Sequence, residues 1–360
     1  MSLLTAKERG TMAELFDRLP FENLYWNQAE TLTDEERSAI QTRQLRRTVE
    51  RVRALPLYRR FFQETPLRDE DFQSPEDVRR LPFTTLMDLR AQFPSAHWTV
   101  PRHEIARVQS QDGLLTAFTR RDMQLQADLS ARYLYAVGVR SNQMVQISHA
   151  FGRAGLAFAL QSGIDCIGAA SVPAVNQIIP TNSAMITGYR TGQTANEKME
   201  ETIEAFCALN VDALCAEAEF VLALLTLAQK LERKLPLRNV CVPATPTGIA
   251  LRYPLQKDFP VKVWLHWEHP AFFGAGLAGE CCRQDGLHIQ EDRFLFECIH
   301  PETLQPLPDG EPGELVVTDL THEAQSLLRF RTGIIGVFNA TPCPCGRTTR
   351  RIQILGENDA

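Results

Sequence analysis

The 360-residue chain has no apolar run approaching the ~20 residues that a membrane-spanning helix needs. Its first residues, MSLLTAKERGTMAEL, carry charge early and lack the apolar core of a secretory signal. Basic residues are not in excess either: 38 Lys and Arg stand against 44 Asp and Glu, for a net charge of -6. Phosphate backbones need a basic surface, so nucleic acid is excluded as the main partner. Nine cysteines fall into no regular framework, which suits a reducing cytoplasm rather than a disulfide scaffold. These absences leave a cytoplasmic globular protein with no membrane partner, long enough for two domains or one domain with subdomains.

The familiar chemical signatures are missing too. There is no Gly-rich phosphate loop, no Gly-x-Ser-x-Gly elbow, no dinucleotide fingerprint and no His-Glu-x-x-His. Ser110-Gln111-Asp112-Gly113-Leu114 has one glycine, no lysine, and an acid that repels phosphate. No internal repeat is visible.

What is present reads as alternating strand and helix. Thr33-Asp34-Glu35-Glu36 has the form of a capping box, and Ile40, Leu45, Val49 and Val52 follow at helical spacing, ending before Pro56. Arg43, Arg46, Arg47, Arg51 and Arg53 give that helix a basic face, read as solvated. Strands are expected at 144–148, 211–215, 239–242 and 261–265. Helices are expected from Gly155 to a stop at Gly163, along Met199, Ile203, Phe206 and Leu209, and over 217–230. That order predicts an α/β sheet with helices on its faces. Residues 168–194 read as a loop-rich insertion. After about Gly279 the chain turns β-rich, with strands at 294–299 and 314–318 joined by PETLQPLPDGEPG.

Two clusters could carry chemistry. TPCPCGRT sets Cys343 and Cys345 on a turn, while ECCRQDGLH sets Cys281 and Cys282 near His288. Structural zinc takes four thiolate or imidazole ligands; Cys343, Cys345, His288 and one of the adjacent pair, Cys281 or Cys282, would supply them. Free thiols in a reducing compartment are the competing reading. The other cluster is His266-Trp267-Glu268-His269. On a strand, His266 and Glu268 share one face and Trp267 and His269 the other, so the histidines do not ligate together. A pocket mouth competes there with plain structural histidines.

Taken together, these stretches resemble the phenylacetate–coenzyme A ligase branch of the adenylate-forming (AMP-binding) superfamily. The matching residues run in order: Leu24-Tyr25-Trp26-Asn27, Leu81-Pro82-Phe83-Thr84-Thr85, Thr119-Arg120-Arg121-Asp122, Ala278-Gly279-Glu280-Cys281 and Asp285-Gly286-Leu287-His288-Ile289. Gly313 to Thr318, Arg329-Phe330-Arg331-Thr332-Gly333 and Cys343 to Thr348 continue the series. The resemblance implies the adenylate-forming large domain: α/β subdomains over residues 1–278 and a distorted β-barrel over 279–354 carrying the zinc clasp. Residues 355–360 would be a hinge remnant, with the small C-terminal domain beyond it lacking. It also implies ATP with magnesium, coenzyme A and an aryl acid as ligands, and it supports metal binding at Cys281, His288, Cys343 and Cys345.

The nucleotide positions depart from the family pattern. The loop around Gly113 is shorter and lacks its lysine. The adenine-side motif reads Pro243-Ala244-Thr245-Pro246, and the Tyr-Gly-x-Ser-Glu motif reads Trp267 to Ala271. After Arg331-Thr332-Gly333, the ribose-binding aspartate is Ile334. An isoleucine cannot accept a hydroxyl's hydrogen bond. The leading expectation is therefore a ligase-fold protein that binds a small molecule or a partner without ordinary adenylation. A second is an enzyme of altered chemistry on an aromatic acid or aryl thioester, with His149, His266, Glu268, His269 and Arg331 lining its pocket and Cys215 or Cys241 a remote nucleophile. A third is a ligase completed by a separate C-terminal polypeptide. A homodimer is left open.

Overall fold

The structure, a computed structural model, describes residues 25–93, 95–111, 114–149, 155–173, 195–272, 274 and 276–357. Gly113 and residues 174–194 lie outside that range, so the shortened loop's tip and most of the expected insertion do too.

Chain order begins with α1 (Asp34–Val52) and α2 (Pro56–Glu64), then α3 (Leu86–Ala91) and the antiparallel hairpin β1 (Arg107–Gln111) and β2 (Leu114–Phe118). The stretch matched to the family's phosphate loop is therefore a hairpin. Next come α4 (Arg120–Ala136), β3 (Met144–Ile147), α5 (Gly155–Ile167), β4 (Ala170–Pro173), α6 (Ala195–Leu209) and β5 (Ala213–Cys215). They are followed by α7 (Ala218–Lys230), β6 (Asn239–Pro243), α8 (Pro246–Asp258) and β7 (Lys262–Trp267). The remainder is strand: β8 (Ala278–Glu280), β9 (Leu287–Ile289), β10 (Phe294–Ile299), β11 (Gly313–Asp319), β12 (Phe330–Asn339) and β13 (Arg351–Glu357).

Eleven strands form one sheet in the order β10-β11-β12-β13-β9-β8-β7-β6-β5-β3-β4. From β4 to β7 the pairing is parallel; from β7 to β10 it is antiparallel. In the parallel part, alternation sends Cys215, Cys241 and Trp264 into the core under α4 and α5. Leu214, Val240, Val242 and Leu265 join the larger core on the other face.

Local chemistry sets the helix ends. Thr33 Oγ1 accepts from Glu36 N while the Glu36 carboxylate accepts from Thr33 N at 2.9 Å, the reciprocal box expected from sequence. Leu45, Val49 and Val52 are fully buried. Of the basic face of α1, Arg43 and Arg47 are exposed as the sequence reading expects, while the other three arginines are half-buried and tethered to the fold. Arg46 donates to Phe72 O (2.7 Å), Arg51 to His322 O (2.7 Å) and Ser326 Oγ (2.9 Å), and Arg53 to Leu67 O (2.9 Å). Charge runs cannot reveal such tethers, because their acceptors are distant carbonyls. α5 also runs past its expected stop. Gly163 is there because a Cβ would come within 2.9 Å of the Ala131 backbone, so the residue permits close helix packing on α4.

A buried ion cluster joins α4 to the loop after β11. His322 lies fully buried between Asp122, 3.7 Å from Nε2, and Asp319, 3.6 Å from Nδ1, and its Nε2 donates to Ala117 O at 2.7 Å. Burial works to lower the imidazole's pKa, but the two carboxylates and the Ala117 carbonyl outweigh it and leave it raised above 6.5. A raised folded value contributes stability that is fully present below the unfolded pKa and is lost as pH rises through the folded pKa. We expect urea stability to fall as pH climbs above ~6.5, and His322→Asn to flatten that part of the profile; an unchanged slope would remove His322 as its source.

Candidate functional site

Three regions hold the residues singled out in the sequence. The first is the Cys/His cluster. β8 delivers Cys281 at its exit, β9 carries His288, and the turn between β12 and β13 carries Cys343 and Cys345. Pairing of Gly279 with His288 and of Arg351 with His288 fixes the three segments side by side. The turn closes through Gly346 N to Cys343 O at 3.0 Å. Gly346 has φ +86° and lies where a Cβ would strike the Tyr25 hydroxyl, so glycine is required there. Tyr25 donates to Cys345 O (3.1 Å), and Glu30 binds Arg347 (2.6 Å), tying the N-terminal described segment to the turn.

All four side chains are buried, and their ligand atoms lie within 4.8 Å of one another. Cys281 Sγ is 3.7 Å from Cys343 Sγ, and Cys345 Sγ is 3.4 Å from His288 Nε2. A tetrahedral zinc with bonds of ~2.3 Å to sulfur and ~2.0 Å to nitrogen has edges of about 3.8 and 3.5 Å, so the donor set fits. His288 Nδ1 faces Thr349 Oγ1 at 3.1 Å and Thr349 O at 3.3 Å, which protonates Nδ1 and turns the Nε2 lone pair inward. The Arg283 and Arg347 backbone amides donate to Cys281 and Cys345 sulfur. The Cys345 thiol is pushed down by the Cys281 and Cys343 thiols and, against burial, by His288. Cys282 is outside the foursome.

The second region is the set of nucleotide positions. Thr245 Oγ1 caps α8 by accepting from Gly248 N at 3.1 Å, and Pro246 occupies the helix's first turn. Trp267 is buried 6.3 Å from the Phe296 ring, and Ala271 is fully buried. Thr332 donates to Leu315 O at 2.7 Å and accepts from Ile334 N; Gly333 N donates to Glu314 Oε1 at 3.2 Å. Ile334 packs half-buried on the main core. Arg331 is held by Glu314 at 2.6 Å and by Pro301 O at 3.1 Å. These groups bond within the fold.

The third region gathers part of the pocket set. His266 and His269 sit on opposite sides of the sheet. His266 packs 5.1 Å from the Tyr133 ring, whereas His269 lies against Phe272 and Phe330 with its Nδ1 accepting from Ala271 N. Burial, and for His266 also the nearby His149, lowers their pKa values to about 3 and about 4, so both are neutral at neutral pH. His149 Nδ1 lies 3.3 Å from Glu217 Oε1. Its Nε2 and both His266 ring nitrogens are buried with no hydrogen-bond partner. Leaving such a group unpaired costs roughly 1–3 kcal/mol. Glu268, one residue past the end of β7 and next to His269, is half-buried. Cys215 and Cys241 face each other on adjacent strands, fully buried; the Cys241 thiol and burial push the Cys215 pKa well up, which disfavours a nucleophile. Glu217 and Thr349 escaped sequence reasoning. Their only signals were a place two residues past a strand and one residue past a conspicuous turn.

No family model matches the chain. A curated phenylacetate–coenzyme A ligase of Thermus thermophilus is 31% identical over 350 residues, spanning 93% of this chain and 74% of that protein. The Escherichia coli protein of the same name is 29% identical over 346 residues, covering 92% and 73%. Among solved structures, an open conformation of 2-hydroxyisobutyryl-CoA ligase in complex with 2-HIB-AMP and CoA superposes with TM-score 0.81 at 21% identity, covering 95% of this chain and 80% of that one. The fold is therefore that of the acyl-CoA ligases of the adenylate-forming superfamily. At 31% identity over 93% of this chain and 74% of the Thermus relative, this chain belongs to the phenylacetate–coenzyme A ligase family.

Proposed function

We propose that this chain binds a small aromatic acid in the acyl-activating fold without carrying out conventional ATP-dependent ligation. One observation carries the reading: at the positions where the family resemblance places adenylate, the polar groups are spent on the fold. Thr245 caps a helix, Thr332 and Gly333 bond to β11, and Ile334 offers no acceptor. A nucleotide entering there finds no carboxylate at position 334 for its ribose hydroxyls, and the Thr245 and Thr332 hydroxyls are already engaged within the fold. Calorimetry is the test. Phenylacetate gives a binding isotherm and Mg-ATP gives none; micromolar Mg-ATP binding with aryl-acid-dependent pyrophosphate release overturns the reading. Coenzyme A, magnesium and the family's ligase reaction are accordingly not assigned.

We further propose that Cys281, His288, Cys343 and Cys345 hold a structural zinc, closed by four protein ligands with no open position for chemistry. The ion supplies cross-linking only, pinning β8, β9 and the β12–β13 turn within the 279–354 stretch, whose strands continue the same sheet as those of 1–278. Nine free cysteines, several of them buried, support the reading of a reducing cytoplasm.

A further inference from the structure

The parallel strands run β4-β3-β5-β6-β7 across the sheet. From β3 the chain crosses outward to the edge strand β4, then returns to the other side of β3 and builds inward. The β3/β5 boundary is thus where the winding reverses, and ligands of open α/β sheets sit in the crevice past the strands' carboxyl ends at such a boundary. His149 stands two residues past the end of β3, and Glu217 two residues past the end of β5.

These two side chains meet across the boundary, Nδ1 to Oε1 at 3.3 Å. A carboxylate at Nδ1 fixes the proton there and leaves Nε2 as a bare acceptor. That Nε2 is buried with no partner. His266, the penultimate residue of β7, points to the same core face as Trp264 and has both ring nitrogens buried and unpartnered. Glu217 is about half exposed and forms the rim. Buried polar atoms are paired in roughly nine cases of ten, so three unpaired ring nitrogens at the carboxyl ends of these strands call for a polar group from outside the fold.

We infer that His149, Glu217 and His266 form the polar end of the small-molecule site and select an aryl acid bearing a ring hydroxyl. This rests on the aryl-acid reading above and deepens it. A neutral His266 presents one donor and one acceptor, and His149 presents one acceptor. A phenol matches both, donating to His149 Nε2 while accepting from the His266 N–H. A carboxylate does not match, because it faces the His149 lone pair without a proton to share; the acid end of the ligand therefore points away from this trio. An unsubstituted ring leaves all three nitrogens unpaired, and sites built to bond a hydroxyl reject the analogue that lacks it.

The test is calorimetry of the full chain with phenylacetate, 3-hydroxyphenylacetate and 4-hydroxyphenylacetate. One hydroxylated acid binds about 10-fold or more tightly than phenylacetate, and that ratio falls toward one in His266→Leu. Because His266 is in the core, Glu217→Ala at the half-exposed rim is the second variant; it releases the His149 tautomer and also shrinks the ratio. Reading a ratio separates recognition from general loss of structure, which weakens all three acids alike. Equal affinities in the unaltered protein overturn this inference and leave the aryl-acid reading standing. A preference that persists in both variants overturns it too, since the nitrogens are then met by water alone. Failure of all three acids to bind overturns both readings.

Discussion

Cys345→Ser strips the metal from the purified chain and lowers stability by about 4 kcal/mol or more, the range reserved for lost metals and broken buried networks. In thermal unfolding of a chain this long, this is a fall of about 5 °C or more. The size follows from what the site joins. β8 and β9 are three residues each, too short to hold their register unaided, and the β12–β13 turn that carries Cys343 and Cys345 is otherwise held by its own turn bonds and by Tyr25 and Glu30. An ion at the 3.7 and 3.4 Å edges replaces three weak tethers with one closed one. Elemental analysis of the same sample is the decisive measurement: one zinc per chain before substitution and none after. Cys282→Ser, next in sequence but outside the foursome, keeps the metal. Parent protein that purifies without zinc, and whose melting temperature Cys345→Ser leaves unchanged, would show that the four side chains are merely packed thiols.

Arg329→Met costs about 3–5 kcal/mol, because it leaves Glu297 charged and buried without its partner. The Arg329 fork meets Glu297 at 2.9 and 2.8 Å and sends Nη1 to Arg79 O and Leu81 O at 3.1 and 3.0 Å. Its guanidinium also lies 3.9 Å from the centre of the Phe83 ring. This clamp holds a backbone that arginine rarely adopts, at φ 41°, which itself costs roughly 1–3 kcal/mol. Arg329→Lys recovers little, since one ammonium cannot reproduce a planar fork that serves a carboxylate and two carbonyls. Adding Glu297→Gln to Arg329→Met restores part of the loss, and the two changes are non-additive in a urea double-mutant cycle. Additive losses would mean the pair is not a unit. The outcome bears on function as well: Arg329 to Gly333 look like an anion grip in the sequence, yet both arginines are committed to buried glutamates.

The strands of the parallel half were readable because each is a short apolar run bounded by breakers, and the capping box at Thr33 because its two bonds are local. The metal foursome was partly readable: Cys343-x-Cys345 and His288 announce themselves, but only β8–β9 pairing decides that Cys281 points inward and Cys282 does not. α8 went unseen for a physical reason. It contains Pro254 and has only Gly248 and Leu255 buried, so neither propensity nor apolar periodicity marks it.

Local pattern was enough for the α/β class, and the short motifs that carry the resemblance were enough for the family. Those properties depend on residue type and on neighbours a few positions away. The polar trio at the β3/β5 reversal is of another kind. His149, Glu217 and His266 come from three separate strand ends, and nothing local says that a glutamate two residues past one strand will orient a histidine past another. Nor does anything local say that the Arg51 and Arg53 side chains reach carbonyls across the fold. Long-range pairing follows from how the sheet winds, and winding is set by the whole set of packed faces at once, so it becomes visible only when the chain is folded.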